Sequence, residues 1–318
     1  MGPQGRLSAP TASASSRRRR AFPLVPRPRA SGIAYGSLPS RRRGQGAEIA
    51  GSRRYVPGDR LASIDWYASA RESMIRDDDI FIVRQYYTEM APRVVIVVDR
   101  RPSLSLYPPD LPWLAKPATI REATTAILAA ARAARAYTGY LDFAESTPHW
   151  IPPRHESVRE IVRRVRDEFD APPTSLVRAL EHLLGLPHDV PGGTFVFALS
   201  DYLEPLPDSI WSRARAQRWD LVPVIVQDPI WEQSFPDVGG IVLPVSDPST
   251  DRKASLRLST REARERRAAN VARLDDLVNR FRRLGFDPVV LGTADPVAID
   301  EAFLGWARRR RLTRRRAR

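Results

Sequence analysis

Residues 93–99 read RVVIVVD, and the fold turns on them. Five β-branched residues stand in a row and an acid ends them. A strand with one wet face alternates apolar and polar side chains. An unbroken apolar run this short belongs to a strand covered on both faces, as in a parallel sheet. Similar runs return downstream at 194–200 (TFVFALS) and 221–226, with a last short one at 288–291. Between them lie stretches with apolar residues at helical spacing: 120–135, 158–169, 176–184, 209–219 and the charged 262–284, which Gly285 ends. Residues 140–144 and 150–151 read as further strands, 240–245 with 254–258 as a hairpin, and 297–308 as a terminal helix. Strands alternating with helices predict an α/β fold with a doubly wound, mostly parallel sheet. Sites in such sheets form at the strand carboxyl ends, near a switch point in strand order. Asp99 and Asp201 both fall at such ends.

Upstream, residues 51–71 read GSRRYVPGDRLASIDWYASAR. No helix or strand period explains this mixture. Pro57-Gly58 is a strong turn signal, followed by Asp59, then Ile64-Asp65-Trp66 and Ala70-Arg71. The stretch resembles the signature of the domain of unknown function 58 family, roughly R-x-Y-x-x-G-D-x-x-R-x-I-D-W-x-x-x-A-R. Tyr55, Gly58, Asp59, Ile64, Asp65, Trp66, Ala70 and Arg71 match it, and Arg53 and Arg54 cover its first basic position. Its middle arginine falls on Ala62, with Arg60 nearby, and Glu89 matches a later position.

The resemblance covers about residues 44–295 and implies a von Willebrand factor A-like domain over 93–302. Residues 47–92 would be a signature segment packed on that domain, since so short a piece buries little core alone. Tyr55 and Trp66 are then expected to be largely buried. The resemblance also implies a non-enzymatic protein-interaction module. Its partners would be a MoxR-type AAA+ ATPase or another von Willebrand A protein, in assembling or activating complexes. Many relatives carry membrane helices ahead of this domain; this chain resembles the short form without them.

Composition narrows the alternatives. The chain has 318 residues, 42% hydrophobic and 28% charged, enough for one large domain or one with a small appendage. It has no cysteine, so disulfides, thiolate metal sites and thiol nucleophiles are excluded. Its apolar runs fall short of the ~20 residues of a membrane helix, and the arginines at 17–20 precede no apolar signal core. A cytoplasmic protein is the simplest expectation. The net charge is +14, but residues 1–46 hold ten arginines and no acid, and residues 308–318 hold eight. Without those eighteen charges +14 becomes −4, so the body is mildly acidic. Like-charged runs in Pro, Ser and Gly-rich sequence do not collapse. A disordered basic tail is therefore expected over 1–46, and the end of the last helix with an Arg-rich tail over 303–318. Solvated tails are one reading of these ends. The other is a tether to acidic lipid or nucleic acid, which would make the chain a basic-tailed scaffold, peripheral at a membrane.

A von Willebrand A-like domain usually holds Mg²⁺ at the strand carboxyl ends, through Asp-x-Ser-x-Ser, a later Thr and a later Asp. Here Asp99, Ser103, Thr174 and Asp201 match that pattern, but Arg101 stands where the first serine belongs. A guanidinium cannot ligate a metal, and beside two carboxylates it competes with one. Two readings follow. In the first the site is degenerate, with an Arg–Asp pair in place of strong Mg²⁺ binding. In the second Arg101 turns away and Ser105 supplies a hydroxyl. The four histidines, 149, 155, 182 and 188, have no metal-ligand spacing. The chain also lacks a G-x-x-x-x-G-K-[ST] loop and a G-x-S-x-G elbow. A metal-dependent hydrolase has no nucleophile or base that can be named. Trp66 and Trp150 read as packing residues. Arg54, Tyr55, Gly58, Asp59, Asp65, Trp66 and Arg71 read as an internal turn and salt-bridge network or as a docking surface.

Overall fold

A computed structural model of the chain describes residues 21–27, 43–76, 78–87, 91–105, 115–143, 147–154, 157–164, 168–247 and 252–316. Six strands form the central sheet: β3 (Arg93–Val98), β4 (Tyr137–Asp142), β5 (His149–Arg154), β6 (Phe195–Ser200), β7 (Asp220–Val226) and β10 (Val289–Leu291). Their order across the sheet is β10-β7-β6-β3-β4-β5. All neighbours run parallel except the edge strand β5, which is antiparallel to β4. The run 93–99 is the centre of this sheet, flanked by β4 and β6. After β3 the chain moves outward to β4 on one side and later to β6 on the other, so the switch in strand order lies between β3 and β6.

The sheet is covered on both faces, as its continuous apolar strands require. Val94, Ile96 and Val98 join one core with helix α2 (Lys116–Ala133) and helix α7 (Pro296–Arg316). Val95 and Val97 join the other with α4 (Ser175–Leu184), α5 (Asp208–Ala216) and α6 (Thr260–Arg283). A short helix α3 (Ser157–Arg164) follows β5, and Ile161 buries into the first core. Ser259 and Glu262 form a reciprocal capping box at the start of α6. At its end Gly285 takes φ +81°, which a side chain rarely adopts. Strands β8 (Ile241–Asp247) and β9 (Arg252–Leu258) form a separate antiparallel hairpin.

Two expectations about the chain ends are corrected. Residues 21–27 are packed: Phe22, Leu24 and Val25 are all buried. The Phe22 ring stacks on Phe303 at 4.7 Å and meets Phe197 and Trp306 edge-on. Burial of these apolar side chains outweighs the charge around them. The remainder of 1–42 lies outside the described residues. At the other end α7 runs through Arg316, well past the expected 308, because Arg310 is buried rather than solvated. Its guanidinium reaches Asp220 at 2.8 Å, Asp287 at 2.8 Å and the Val25 carbonyl at 3.0 Å. Arg27 adds a second cation to Asp287 at 3.0 Å.

The signature segment folds as a small unit of its own elements. Strand β1 (Arg43–Arg54) pairs antiparallel with β2 (Ile82–Tyr87), and helix α1 (Trp66–Arg76) lies between them in sequence. Gly58, at φ +104°, makes the turn expected of Pro57-Gly58. Asp59 accepts from Arg53 at 2.5 Å and from the Val56 N–H at 2.9 Å. Asp65 accepts from the Ala68 N–H at 3.1 Å and from Arg84 at 2.8 Å. These bonds hold both carboxyls below their ordinary range, the arginine bond contributing most in each case. Arg53, not Arg54, therefore fills the first basic position, and Arg84 rather than Arg71 completes the network. Ile64, Ile80 and Val83 supply a small apolar centre. The expected burial of Tyr55 and Trp66 is not found. Tyr55 is half-buried and Trp66 is 64% exposed, its ring edge-on to Phe81.

Candidate functional site

The register Val98↔Leu199 places the ends of β3 and β6 side by side. Asp99 and Asp201 leave those ends next to each other, and both are buried. The chain turns sharply after Asp201: Tyr202 sits at φ +52°, in the left-handed region that a bulky residue seldom takes. Its hydroxyl donates to the Ala198 carbonyl at 2.7 Å and its N–H to Ser200 Oγ at 3.2 Å. These bonds fix the conformation that aims Asp201 back toward Asp99.

Arg101 lies between the two acids. Its side chain is 7% exposed, with Nη2 2.8 Å from Asp99 Oδ2 and 3.2 Å from Asp201 Oδ1. Its backbone N–H also donates to Asp99 Oδ1 at 3.1 Å. Nη1 points outward and meets Glu204, whose side chain is 70% exposed, at 2.8 Å. Burial works against this charge, but Asp99 foremost, then Asp201 and Glu204, raise its pKa above the ordinary arginine value. Hydroxyls complete the set. Ser200 Oγ donates to Asp99 at 2.6 Å, and Ser103 Oγ donates to Asp201 Oδ2 at 2.8 Å.

A second cation enters from α2. Lys116 is fully buried, and its ammonium lies 3.7 Å from Asp201 Oδ2, donates to the Ser103 carbonyl at 3.2 Å and pairs with Glu232. Glu232 is held in turn by the Asp228 N–H at 2.7 Å. Burial raises its carboxyl above the usual range, and the Lys116 ammonium offsets only part of that. Beside this cluster, Arg100 is buried against Asp142 at 3.3 Å and the Tyr140 hydroxyl at 2.8 Å, with its guanidinium 5.1 Å from the centre of the Phe169 ring.

Of the residues picked out in sequence, Asp99, Arg101, Ser103 and Asp201 come together. Thr174 does not join them: it is exposed just ahead of α4, and the next residue, Ser175, is buried with Oγ 3.4 Å from Asp99. Ser105 does not stand in either, since its hydroxyl is exposed and donates to the Pro102 carbonyl at 2.9 Å. Lys116, Ser200 and Glu232 are additions that sequence reasoning missed. Only Ser200 had a readable signal, as the last residue of a buried strand. His182 sits between the Phe143 and Trp150 rings, where burial lowers its pKa, and His149 faces Tyr140. Glu89 and His155 lie outside the described residues.

Mg²⁺ does not fit this arrangement. It needs oxygens converging at about 2.0–2.1 Å, yet the facing oxygens of Asp99 and Asp201 are already occupied by a guanidinium and lie near an ammonium. Among the described residues no three His, Cys, Asp or Glu side chains group so as to hold a metal. What the cluster can do is present a fixed, desolvated charge array at the strand ends, with Arg101 and Glu204 on its outer side.

No curated protein matches the chain. Two solved structures align loosely. The "conserved hypothetical protein BatB from Bacteroides thetaiotaomicron" has a TM-score of 0.39 and 11% identity, over 69% of this chain and 100% of that one. An "Uncharacterized Membrane Spanning Protein from Vibrio fischeri" has a TM-score of 0.19 and 13% identity, over 65% of this chain and 92% of that one. Neither likeness extends the description of the fold. No helix among the described residues is long and apolar enough to cross a membrane. The sequence match is firmer: residues 51–276, most of the chain including nearly all of the signature segment and the charge cluster, place this protein in the family described as "Protein of unknown function DUF58".

Proposed function

We propose that this chain is a non-enzymatic protein-interaction module that docks a partner over the strand carboxyl ends without a metal ion. The observation behind this is the pair of built-in cations: Arg101 lies between Asp99 and Asp201, and Lys116 stands beside Asp201. In von Willebrand A-like sites a divalent ion gathers the carboxylates and a partner's acid completes its coordination. Here a guanidinium gathers them, and its outward Nη1 already holds a carboxylate, that of Glu204. Ser103 and Ser200 each donate their hydroxyl proton to a carboxylate whose charge is balanced by a cation, and neither is paired with a general base that would activate it as a nucleophile. The family resemblance points to a MoxR-type AAA+ ATPase, or another von Willebrand A protein, as the partner.

Binding of the purified chain to a MoxR-type ATPase from the same organism tests this reading. Binding should persist at 0.5 M salt, withstand removal of residues 317–318 and fall on Glu204→Arg, a change on an exposed side chain. The second reading, a scaffold that grips acidic lipid or nucleic acid, draws on the arginines of α7. Arg308, Arg309 and Arg311 are exposed at the carboxyl end of that helix. It predicts the reverse: binding to anionic vesicles or DNA that declines steeply with salt and is indifferent to Glu204→Arg.

A further inference from the structure

Helix α1 turns its two serines inward. Ser69 is buried; its Oγ donates to the Asp65 carbonyl at 2.7 Å and accepts from the Ile82 N–H at 2.8 Å. Ser73 likewise accepts from the Ile80 N–H at 2.9 Å. The outer side carries Trp66 at 64%, Tyr67 at 82% and Met74 at 86% exposure. Trp66, Ala70 and Met74 follow one another at four-residue intervals and so line one stripe, with a small residue between two large ones. Phe81, 43% exposed, extends the patch, its ring 6.1 Å from Trp66 and 6.5 Å from Tyr55. A contiguous exposed apolar patch of this kind marks a contact surface.

Opposite charges stand at its two ends. Arg60 precedes the helix, while Asp78 and Asp79 follow it, and none of these enters an ion pair among the described residues. The neighbouring acids Asp59, Asp65 and Glu72 are already matched by Arg53, Arg84 and Arg76.

We infer that this patch is the contact of a twofold homodimer, in which α1 of one copy packs antiparallel on α1 of a second. The surface is complementary to itself only in that direction. Pairing centred on Ala70 sets Trp66 against the second copy's Met74, a sulfur–aromatic contact, and the small alanines let the helices approach. The same pairing brings each basic end against the other copy's acidic end. A parallel pairing would set like charges together. An anionic bilayer would be repelled by Asp78 and Asp79. Each interaction occurs twice, as in any isologous interface. Trp66, Tyr67, Met74 and Phe81 offer on the order of 500 Å² per copy, the low end of specific interfaces, so association is reversible and concentration-dependent.

Sedimentation equilibrium of the full chain, from micromolar to hundreds of micromolar, tests this. The expected result is a mass that rises toward twice the monomer's, with Trp66→Ser holding the chain monomeric. Arg60→Asp and Asp79→Arg should each weaken association roughly three- to tenfold, the scale of two exposed ion pairs. The double reversal Arg60→Asp with Asp79→Arg re-creates both pairs with their signs exchanged and should recover most of the loss. A native chain that stays monomeric throughout overturns the inference. So does a double reversal as weak as the sum of the single changes. Monomers that pellet with phosphatidylserine vesicles would assign the patch to a bilayer, and monomers that bind the ATPase partner through Trp66 would assign it to that protein.

Discussion

Replacing Arg101 with serine removes a cation that two buried carboxylates share. The Arg101 side chain is 7% exposed, and those of Asp99 and Asp201 are fully buried. Removing one partner of a buried pair costs about 3–5 kcal/mol, because the other charge stays desolvated without compensation. Lys116 remains 3.7 Å from Asp201 and continues to balance it. Asp99 keeps only the Ser200 and Ser175 hydroxyls and the backbone N–H of residue 101 as donors. The loss should therefore fall near the lower limit, about 3 kcal/mol in urea unfolding at pH 7. The serine also supplies the oxygen that the native site lacks, so the variant should gain affinity for Mg²⁺. At a metal concentration 100-fold above Kd, Mg²⁺ would return about 2.7 kcal/mol. The native chain should show no such stabilisation. Urea midpoints of both proteins, with 10 mM Mg²⁺ and with EDTA, provide the comparison. A serine variant within about 0.5 kcal/mol of native, the range of ordinary surface changes, would refute the idea that the guanidinium balances the site. Equal Mg²⁺ stabilisation of both proteins would show that Arg101 does not exclude the metal.

Phe22→Ala should destabilise the fold by about 3–5 kcal/mol, the range for a buried phenylalanine, as read by denaturant unfolding; no effect would mean that residues 21–27 do not dock. Asp287 concerns pH. Burial opposes its ionisation, but Arg310 and Arg27 outweigh that and hold its carboxyl below the usual range. The stability it adds is present above the unfolded value of about 3.9 and is lost as pH falls through the lower folded value. Midpoints measured from pH 6 to 3 should therefore fall less steeply in Asp287→Asn than in the native chain. Gly139→Ala should cost about 1–3 kcal/mol as overpacking, since a Cβ there would meet the Ile151 carbonyl at 2.9 Å and Pro153 N at 3.0 Å. An unchanged melting temperature would show that the edge strand β5 yields freely.

The sheet was readable because strands covered on both faces leave an unbroken apolar record, and 93–98, 195–200 and 220–226 are such strands. Asp99 and Asp201 followed from topology, since each is the first residue beyond a strand. Lys116 was hidden because its partners, Asp201 and Glu232, lie far away in the chain, and nothing local distinguishes a buried lysine from a solvated one. Phe22 was hidden for a similar reason: seven residues without a period, in an arginine-rich context, give no sign of the pocket that receives them. Trp66 misled because tryptophan usually packs inward, and only the serines at 69 and 73, hydrogen-bonded to their own hairpin, show which side of α1 faces in. The charge run from 308 reads as a solvated tail or a tether, although Arg310 is the residue that joins α7 to Asp220 and Asp287.

The pocket for Phe22 has a consequence for how the protein is made. Its walls come from Phe303 and Trp306, and Arg310 bonds the Val25 carbonyl across 285 positions of chain. At roughly 5–20 residues per second, a ribosome takes on the order of 15–60 s to cover that distance. Throughout that interval the apolar segment 21–27 has nowhere to go. The parallel sheet, itself built from distant pairings that form slowly, must assemble first. Closing the core therefore waits for α7, and the nascent chain carries Phe22, Leu24 and Val25 exposed until that helix has left the ribosome. That segment is where a holding chaperone would bind the unfinished protein, and a ribosome stalled before codon 303 would strand the chain in that state.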